Sequence, residues 1–149
     1  MDPREAGIVP AFHRTCFACG KDNPDGLQIR CVTEGSTNSA TIVIGKRFQG
    51  YEAIAQGGIV ATILDTAMVQ LLHDLFGGHP VTMRLDVRFF KETPVETSIQ
   101  AVARITRTRG SVHWVAAEIL RGTTRYASAQ GIFTMRLTST VLSERGDAS

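Results

Sequence analysis

The apolar residues between Gln56 and Phe76 recur in adjacent pairs four positions apart. This spacing is typical of a helix that is buried over most of its circumference. A glycine pair precedes the segment, and a second pair follows it shortly before a proline, which is a common way for a helix to end. We therefore predict one long central helix. Its apolar pairs are Ile59 and Val60, Ile63 and Leu64, Ala67 and Met68, Leu71 and Leu72, and Leu75 and Phe76.

Elsewhere the apolar residues alternate with a period of 2, which predicts strands with one buried face. A hairpin of two strands is expected before the helix and a meander of four strands after it. One helix can be apolar nearly all round only if a sheet wraps it. We therefore predict an α+β fold, an antiparallel curved sheet wrapped around one long central helix. The expected strands cover residues 27–31, 40–44, 81–89, 98–108, 111–120 and 125–137, with a bulge or close-packing point at Gly131.

The pattern weakens towards both ends of the chain. Residues 1–15 are mixed polar and small, and residues 139–149 lose apolar content. We expect a flexible N-terminal arm over 1–15, a single domain over 16–138 and a frayed C-terminal tail over 139–149.

Composition narrows the class of protein. Of the 149 residues, 43% are hydrophobic and 20% are charged, as in an ordinary globular protein. A net charge of +2 is too small to indicate nucleic acid as the main partner. The N-terminus lacks the basic start and apolar run of a signal peptide, and polar residues interrupt the central helix. We expect a cytoplasmic protein with no nucleic-acid partner and no membrane partner.

Asp65 is the anomaly of the central helix, because it projects between Leu72 and Phe76 on an apolar arc. It could be structural, paired with a buried arginine or with backbone amides. Burial also raises the pKa of a carboxyl group and its reactivity as a base or nucleophile. The amides of Gly57 and Gly58 at the start of the helix are suited to an oxyanion.

A carboxylate and an oxyanion donor on one helix indicate acyl transfer, but their spacing is too wide for a single site. Eight residues of helix separate Asp65 from Gly57, which is about 12 Å. The donor and the carboxylate would have to come from different subunits, as in a two-fold dimer with antiparallel helices.

These residues resemble a known family. Gln56, Gly57, Gly58 and the helical Asp65 are similar to the His-Gly-Gly segment and helical aspartate of hotdog-fold acyl-CoA thioesterases, in the phenylacetate-pathway (PaaI-like) branch. The resemblance includes the loop FQGY, the strand MRLDVRFFKETP after the helix, and the motifs CFACG and NPDGL. It covers residues 16–137.

The resemblance implies a hotdog homodimer, often paired into a homotetramer, that binds an acyl-CoA at the dimer interface. Gly57 would polarise the thioester carbonyl, Asp65 of the partner would act as base or nucleophile, and Thr82 would help to position water. The reaction would be hydrolysis of the acyl-CoA without a cofactor. Gln56 is the fourth catalytic candidate, and it stands where the family usually has a histidine. Its amide can hydrogen-bond a carbonyl or water, but it cannot become a cation or shuttle a proton at neutral pH. A non-catalytic acyl-CoA binding or sensing protein is therefore the alternative, and a hydratase ranks lower.

Coenzyme A carries phosphates, which directs attention to the arginines at strand ends and hairpins. Most such charges belong to a solvated face. Arg107 and Arg109 beside Gly110 could nevertheless bind phosphate with charge-assisted hydrogen bonds. We assign substrate binding to Gly58, Arg88, Arg107, Arg109 and Gly110.

Cys16 and Cys19 form a C-x-x-C motif followed by glycine, which has the shape of half a zinc site. The other half would have to be His13 and Cys31, at an irregular spacing. We therefore favour small residues that shape a tight turn, and we expect no metal. Of two neighbours on one predicted strand, we expect Trp114 in the core and His113 on the surface.

Overall fold

The computed structural model describes residues 13–136. The predicted tail and the first twelve residues of the predicted arm lie outside this range. A short 3-10 helix, Lys46–Phe48, follows the second strand. The main elements are β1 Val32–Glu34, β2 Thr37–Val43, α1 Gly57–Phe76, β3 His79–Phe89, β4 Ser98–Arg109, β5 Val112–Arg121 and β6 Thr124–Arg136.

Six strands form one sheet in the order β1-β2-β4-β5-β6-β3, and every neighbouring pair is antiparallel. Helix α1 packs against β2, β3, β4, β5 and β6, and the hydroxyl of Thr33 on β1 donates a hydrogen bond of 2.6 Å to Asp74 of the helix. The predicted α+β architecture, with one helix wrapped by an antiparallel sheet, is confirmed. Strand β3 follows the helix directly but lies at the edge of the sheet, which becomes important for the site.

The predicted central helix is confirmed within one residue of its expected start. It is long and apolar enough by length and composition to cross a membrane, yet its apolar face is covered by the sheet, as in a core helix. Its buried residues are Val60, Ile63, Leu64, Thr66, Ala67, Met68, Leu71 and Leu72.

Gly131 of β6 is a close-packing point, one of the two roles predicted for it. A Cβ there would lie 2.5 Å from Cε2 of Phe133 and 3.2 Å from the sulfur of Met68. The register irregularity in β3–β6 pairing falls between Thr82 and Arg84 rather than at the glycine. The glycine therefore lets the helix approach the sheet.

The strand predicted over residues 27–31 is wrong, since β1 begins only at Val32. Ile29 and Cys31 are buried as the alternation indicated, but no strand within residues 13–136 pairs with them. The amide side chain of Gln70 on α1 accepts from the N–H of Cys31 at 3.0 Å and donates to the carbonyl of Ile29 at 3.3 Å. A helix side chain thus makes the backbone hydrogen bonds that a neighbouring strand would otherwise have made.

The predicted orientation of β5 is also wrong. His113 is buried, stacks on Phe76 with ring centroids 4.5 Å apart and shares a 2.9 Å hydrogen bond with Thr108. Trp114 faces the other side, half-buried, with the guanidinium of Arg107 4.6 Å from its ring centroid. The guanidinium of Arg107 covers the indole of Trp114, so this ring is stabilised outside the core.

Candidate active site

Asp65 on α1 points towards the edge strand β3. The hydroxyl Oγ1 of Thr82 donates a hydrogen bond of 2.8 Å to its Oδ1. Burial raises the pKa of the Asp65 carboxyl above its ordinary value, and the hydrogen bond from Thr82 opposes this rise in part. This direction is the one expected for a carboxyl on an apolar helix arc, and no arginine is paired with Asp65 within residues 13–136.

A cavity of about 510 Å³ lies beside this pair, between the segment that begins at His13, helix α1 and β3. Apolar side chains make up most of its wall, so a charge inside it is poorly solvated. Its lining residues are His13, Cys16, Phe17, Ala18, Cys19, Ala61, Thr62, Asp65, Thr66, Val69, Gln70, His79, Pro80, Val81, Thr82 and Leu85.

Gln56 is the N-cap of α1, and its Oε1 accepts from the N–H of Ile59 at 3.1 Å. In the described part of the chain, the amides of Gly57 and Gly58 have no hydrogen-bond acceptor. Both glycines are exposed, and a Cβ on Gly57 would lie 3.8 Å from the ring of Phe89. The helix therefore begins with two accessible donors in a positive end of the helix dipole.

One chain does not bring the two halves of the predicted site together. Gly57 and Asp65 are eight residues apart on a continuous helix, a separation of about 12 Å. None of Gln56, Gly57 and Gly58 lines the cavity that contains Asp65. The structure thus joins Asp65 to Thr82, and it leaves Gln56 with the glycine pair at the start of the helix.

The predicted phosphate-binding residues are also divided between the two ends of the sheet. Arg107, Arg109 and Gly110 lie at the β4–β5 hairpin, where Gly110 has a φ of 59°. This hairpin is at the end of the sheet where α1 ends, because β6 continues past it to pair with His79. Arg88 lies near the opposite end, beside the Phe89 that neighbours Gly57.

The sequence analysis missed the wall of the cavity formed by residues 13–19. These residues have no regular periodicity, and the C-x-x-C-G motif indicated a turn without indicating what the turn would cover. The turn brings His13, Cys16 and Cys19 together, with one potential ligand atom from each within 4.8 Å of the others. Cys31, the ligand that sequence spacing would have required, is outside this group.

The family model of the thioesterase superfamily matches residues 54–128, a stretch that contains the glycine pair, Asp65 and Thr82. No curated protein sequence matches the chain.

Solved structures with the same fold are distant in sequence. The structure of RHA08564, a thioesterase superfamily protein, matches with a TM-score of 0.70 and 19% identity, and the match covers 77% of this chain and 60% of that chain. A phenylacetic acid degradation-related protein of Ralstonia eutropha JMP134 has a TM-score of 0.70 and 19% identity, over 89% and 96%. The protein smu.793 of Streptococcus mutans UA159, bound to acetyl-CoA, has a TM-score of 0.65 and 15% identity, over 73% and 89%.

The chain thus spans less than two thirds of the first of these proteins and nearly all of the second. The resemblance inferred from the sequence is confirmed for the family and the fold. The chain belongs to the thioesterase superfamily and has the hotdog fold.

Proposed function

We propose that the protein hydrolyses an acyl-CoA thioester to the free acid and coenzyme A. The observation that carries this proposal is a carboxylate held by Thr82 in an apolar cavity, on the same helix as two accessible amides. Membership of the superfamily and the acetyl-CoA bound to a protein of the same fold support an acyl-CoA as the substrate class.

In the proposed reaction, Asp65 takes a proton from water as the water oxygen bonds to the thioester carbonyl carbon. The negative charge that develops on the carbonyl oxygen is stabilised by the N–H of Gly57. The carbon–sulfur bond then breaks, and the proton leaves with the thiolate as coenzyme A thiol. Thr82 keeps the carboxylate in one orientation, and the reaction requires no cofactor.

We propose that each site is shared between two copies of the chain that pair through β3. This edge strand has eleven residues and exposes Met83 and Phe89, and a long unpaired edge favours pairing with another chain. Antiparallel pairing about the midpoint between Leu85 and Asp86 would place Phe89 of one copy opposite Thr82 of the other. Gly57 of the first copy would then approach Asp65 of the second.

The same pairing would bring the divided arginines closer. Antiparallel strands reverse the ends of the two sheets, so Arg88 of one copy would lie at the end that holds Arg107 and Arg109 of the other. Two copies would thus supply basic side chains, with the amide of Gly110, for the phosphates of coenzyme A. Pairing of two dimers into a tetramer stays a prediction.

Complementation between two inactive variants tests this proposal. Asp65→Asn keeps a sound Gly57, and Gly57→Pro keeps a sound Asp65. A mixed dimer of the two has one intact shared site, so equal co-expression should restore about a quarter of wild-type thiol release. The inactive controls are the homodimers of each single variant and the homodimer of a chain that carries both substitutions. No recovery in verified mixed dimers would contradict shared sites.

The alternative, an acyl-CoA binding protein without turnover, is favoured by one observation. The side-chain oxygen of Gln56 accepts a hydrogen bond that caps α1, and a glutamine amide does not take up or release a proton at neutral pH. Calorimetric binding of an acyl-CoA with no thiol release would support this alternative. Recovery of hydrolysis in Gln56→His would then indicate that the glutamine had silenced the site.

A further inference from the structure

Three side chains with nitrogen or sulfur ligand atoms meet where the chain turns over the cavity. Nδ1 of His13 lies 3.6 Å from Sγ of Cys19. The ligand atoms of His13, Cys16 and Cys19 are all within 4.8 Å of one another. The three residues are buried or half-buried, and all of them line the cavity that contains Asp65.

These distances match the edges of a tetrahedral zinc site. With zinc–sulfur bonds of about 2.3 Å and zinc–nitrogen bonds of about 2.0 Å, tetrahedral angles place sulfur and nitrogen about 3.6 Å apart and two sulfurs about 3.8 Å apart. The observed 3.6 Å between Cys19 and His13 equals the first edge. The sulfur of Cys16 lies within 4.8 Å of both other ligand atoms, so a shift of roughly 1.3 Å or less completes the triangle.

The backbone around the cysteines is built to hold this arrangement. The N–H of Ala18 donates to Sγ of Cys16 at 3.4 Å, and the N–H of Gly20 donates to the carbonyl of Cys16 at 2.7 Å. A Cβ on Gly20 would lie 2.4 Å from backbone atoms of Cys16, so only glycine fits there. The guanidinium of Arg30 also donates to the carbonyl of Cys19. The turn therefore fixes both sulfurs on one side.

A cysteine beside a histidine is also the arrangement of a thiol nucleophile with its base. The surroundings do not support that role here. Cys19 is buried, and its sulfur lies beside a second sulfur as well as beside the ring of His13. Three donor atoms that converge in this way match a metal site better than a single thiol with its base.

We propose that His13, Cys16 and Cys19 bind one Zn²⁺ ion. Two thiolates and an imidazole suit this borderline-soft ion and do not suit magnesium or calcium. The fourth ligand would be water or a bound molecule from the cavity that all three residues line. The ion would hold the wall of the cavity in place. This site goes beyond the proposed hydrolysis, which needs no metal.

Cobalt and zinc titration of the whole chain tests the site. After removal of bound metal by a chelator, Co²⁺ should give the absorption of a tetrahedral thiolate complex at about one equivalent, and Zn²⁺ should abolish it. Cys16→Ala should weaken binding by more than about 100-fold, beyond the loss typical of an outer partner. Cys31→Ala is the matched control, because that buried thiol is outside the cluster and should leave the affinity unchanged.

A second readout is thermal stability. Zn²⁺ should raise the Tm of the wild type and of Cys31→Ala, and should leave that of His13→Ala unchanged. Cys19 is buried and its variant could fail to fold, so the half-buried His13 and Cys16 carry the test. The proposal is overturned if the wild type gives no tetrahedral cobalt spectrum, or if Cys16→Ala binds as tightly as Cys31→Ala does.

Discussion

Thr82 and Asp65 are joined by a hydrogen bond of 2.8 Å from Oγ1 to Oδ1, which crosses from the edge strand β3 to the central helix. Among the described residues, the second carboxylate oxygen of Asp65 accepts no hydrogen bond. One oxygen is therefore held by Thr82, and the other stays available to accept a proton. This division of roles within one carboxylate leads to the first two predictions.

Asp65→Asn should reduce thiol release from acyl-CoA substrates by about 10²- to 10⁴-fold, the usual contribution of a general base. Asparagine has nearly the same shape and can still accept from Thr82, so the fold should be kept. The measurement is kcat with a panel of short, long and aromatic acyl-CoAs, with circular dichroism as the control for folding. Turnover at the wild-type rate would remove Asp65 from the mechanism.

Thr82→Val should move the acidic limb of the pH–rate profile to higher pH. The hydrogen bond from Thr82 lowers the pKa of Asp65, so its loss raises that pKa further, and the carboxylate forms only at higher pH. The measurement is kcat/KM against pH. Thr82→Ser retains the donor and should keep the wild-type profile, and identical profiles for all three proteins would show that the bond does not tune the base.

Gly57→Pro should reduce kcat by about 10²- to 10³-fold, as expected when one oxyanion donor is lost. Proline is tolerated at the first position of a helix, and Gln56 before it already has the extended backbone that proline requires, with a ψ of 137°. Only the N–H is then removed.

Gly57→Ala is the control for this variant. It adds a Cβ at an ordinary 3.8 Å from Phe89 and keeps the N–H, so most of the activity should remain. An equal loss in both variants would indicate steric exclusion of the substrate rather than loss of the donor.

The difference in thermal stability between Asp65→Asn and the wild type should grow with pH. The raised pKa means that a charged Asp65 destabilises the folded state. Below the ordinary value of 3.8 the carboxyl is protonated in both states and imposes no cost. As pH rises from there through the raised pKa of the folded state, the wild type loses stability, and above it the loss is constant.

Asparagine carries no such charge, so its Tm should exceed that of the wild type at neutral pH. For a chain of this size, each kcal/mol corresponds to about 2–4 °C. Calorimetric scans of both proteins between acidic and neutral pH measure the effect. A Tm difference that stays constant over this range would argue against a buried charge.

The elements that could be predicted are those whose apolar period is long and uninterrupted. Helix α1 and strands β5 and β6 each bury one face, and the apolar period of the sequence indicates that face directly. The alternation in β3 also predicts one buried face, and this prediction is wrong, because Met83 and Phe89 are exposed on a strand at the edge of the sheet. The segment containing Ile29 and Cys31 shows the limit. Alternation indicates which side chains are buried, but it does not indicate whether a strand or the side chain of Gln70 will pair with the backbone.

Some residues of the candidate site could likewise be identified from the sequence, and others could not. Asp65 could be identified because a charge on an apolar helix arc is costly wherever the helix packs. The inward position of His113 depends on the register of β5 after the turn at Gly110, and a shift of one residue reverses both faces. The wall formed by residues 13–19 depends on a turn without a period, and only the fold shows that it covers the cavity.

Gln70 on α1 links the central helix to the segment before β1, and the opening of this link can be measured at a single backbone amide. Its side chain holds the N–H of Cys31 and the carbonyl of Ile29, so the central helix fastens the segment that leads into the sheet. Loss of that single amide group would remove both of these hydrogen bonds between the helix and the segment while leaving the strand ladders intact. Hydrogen exchange at the Cys31 amide therefore reports how often the contact between the helix and residues 29–31 opens.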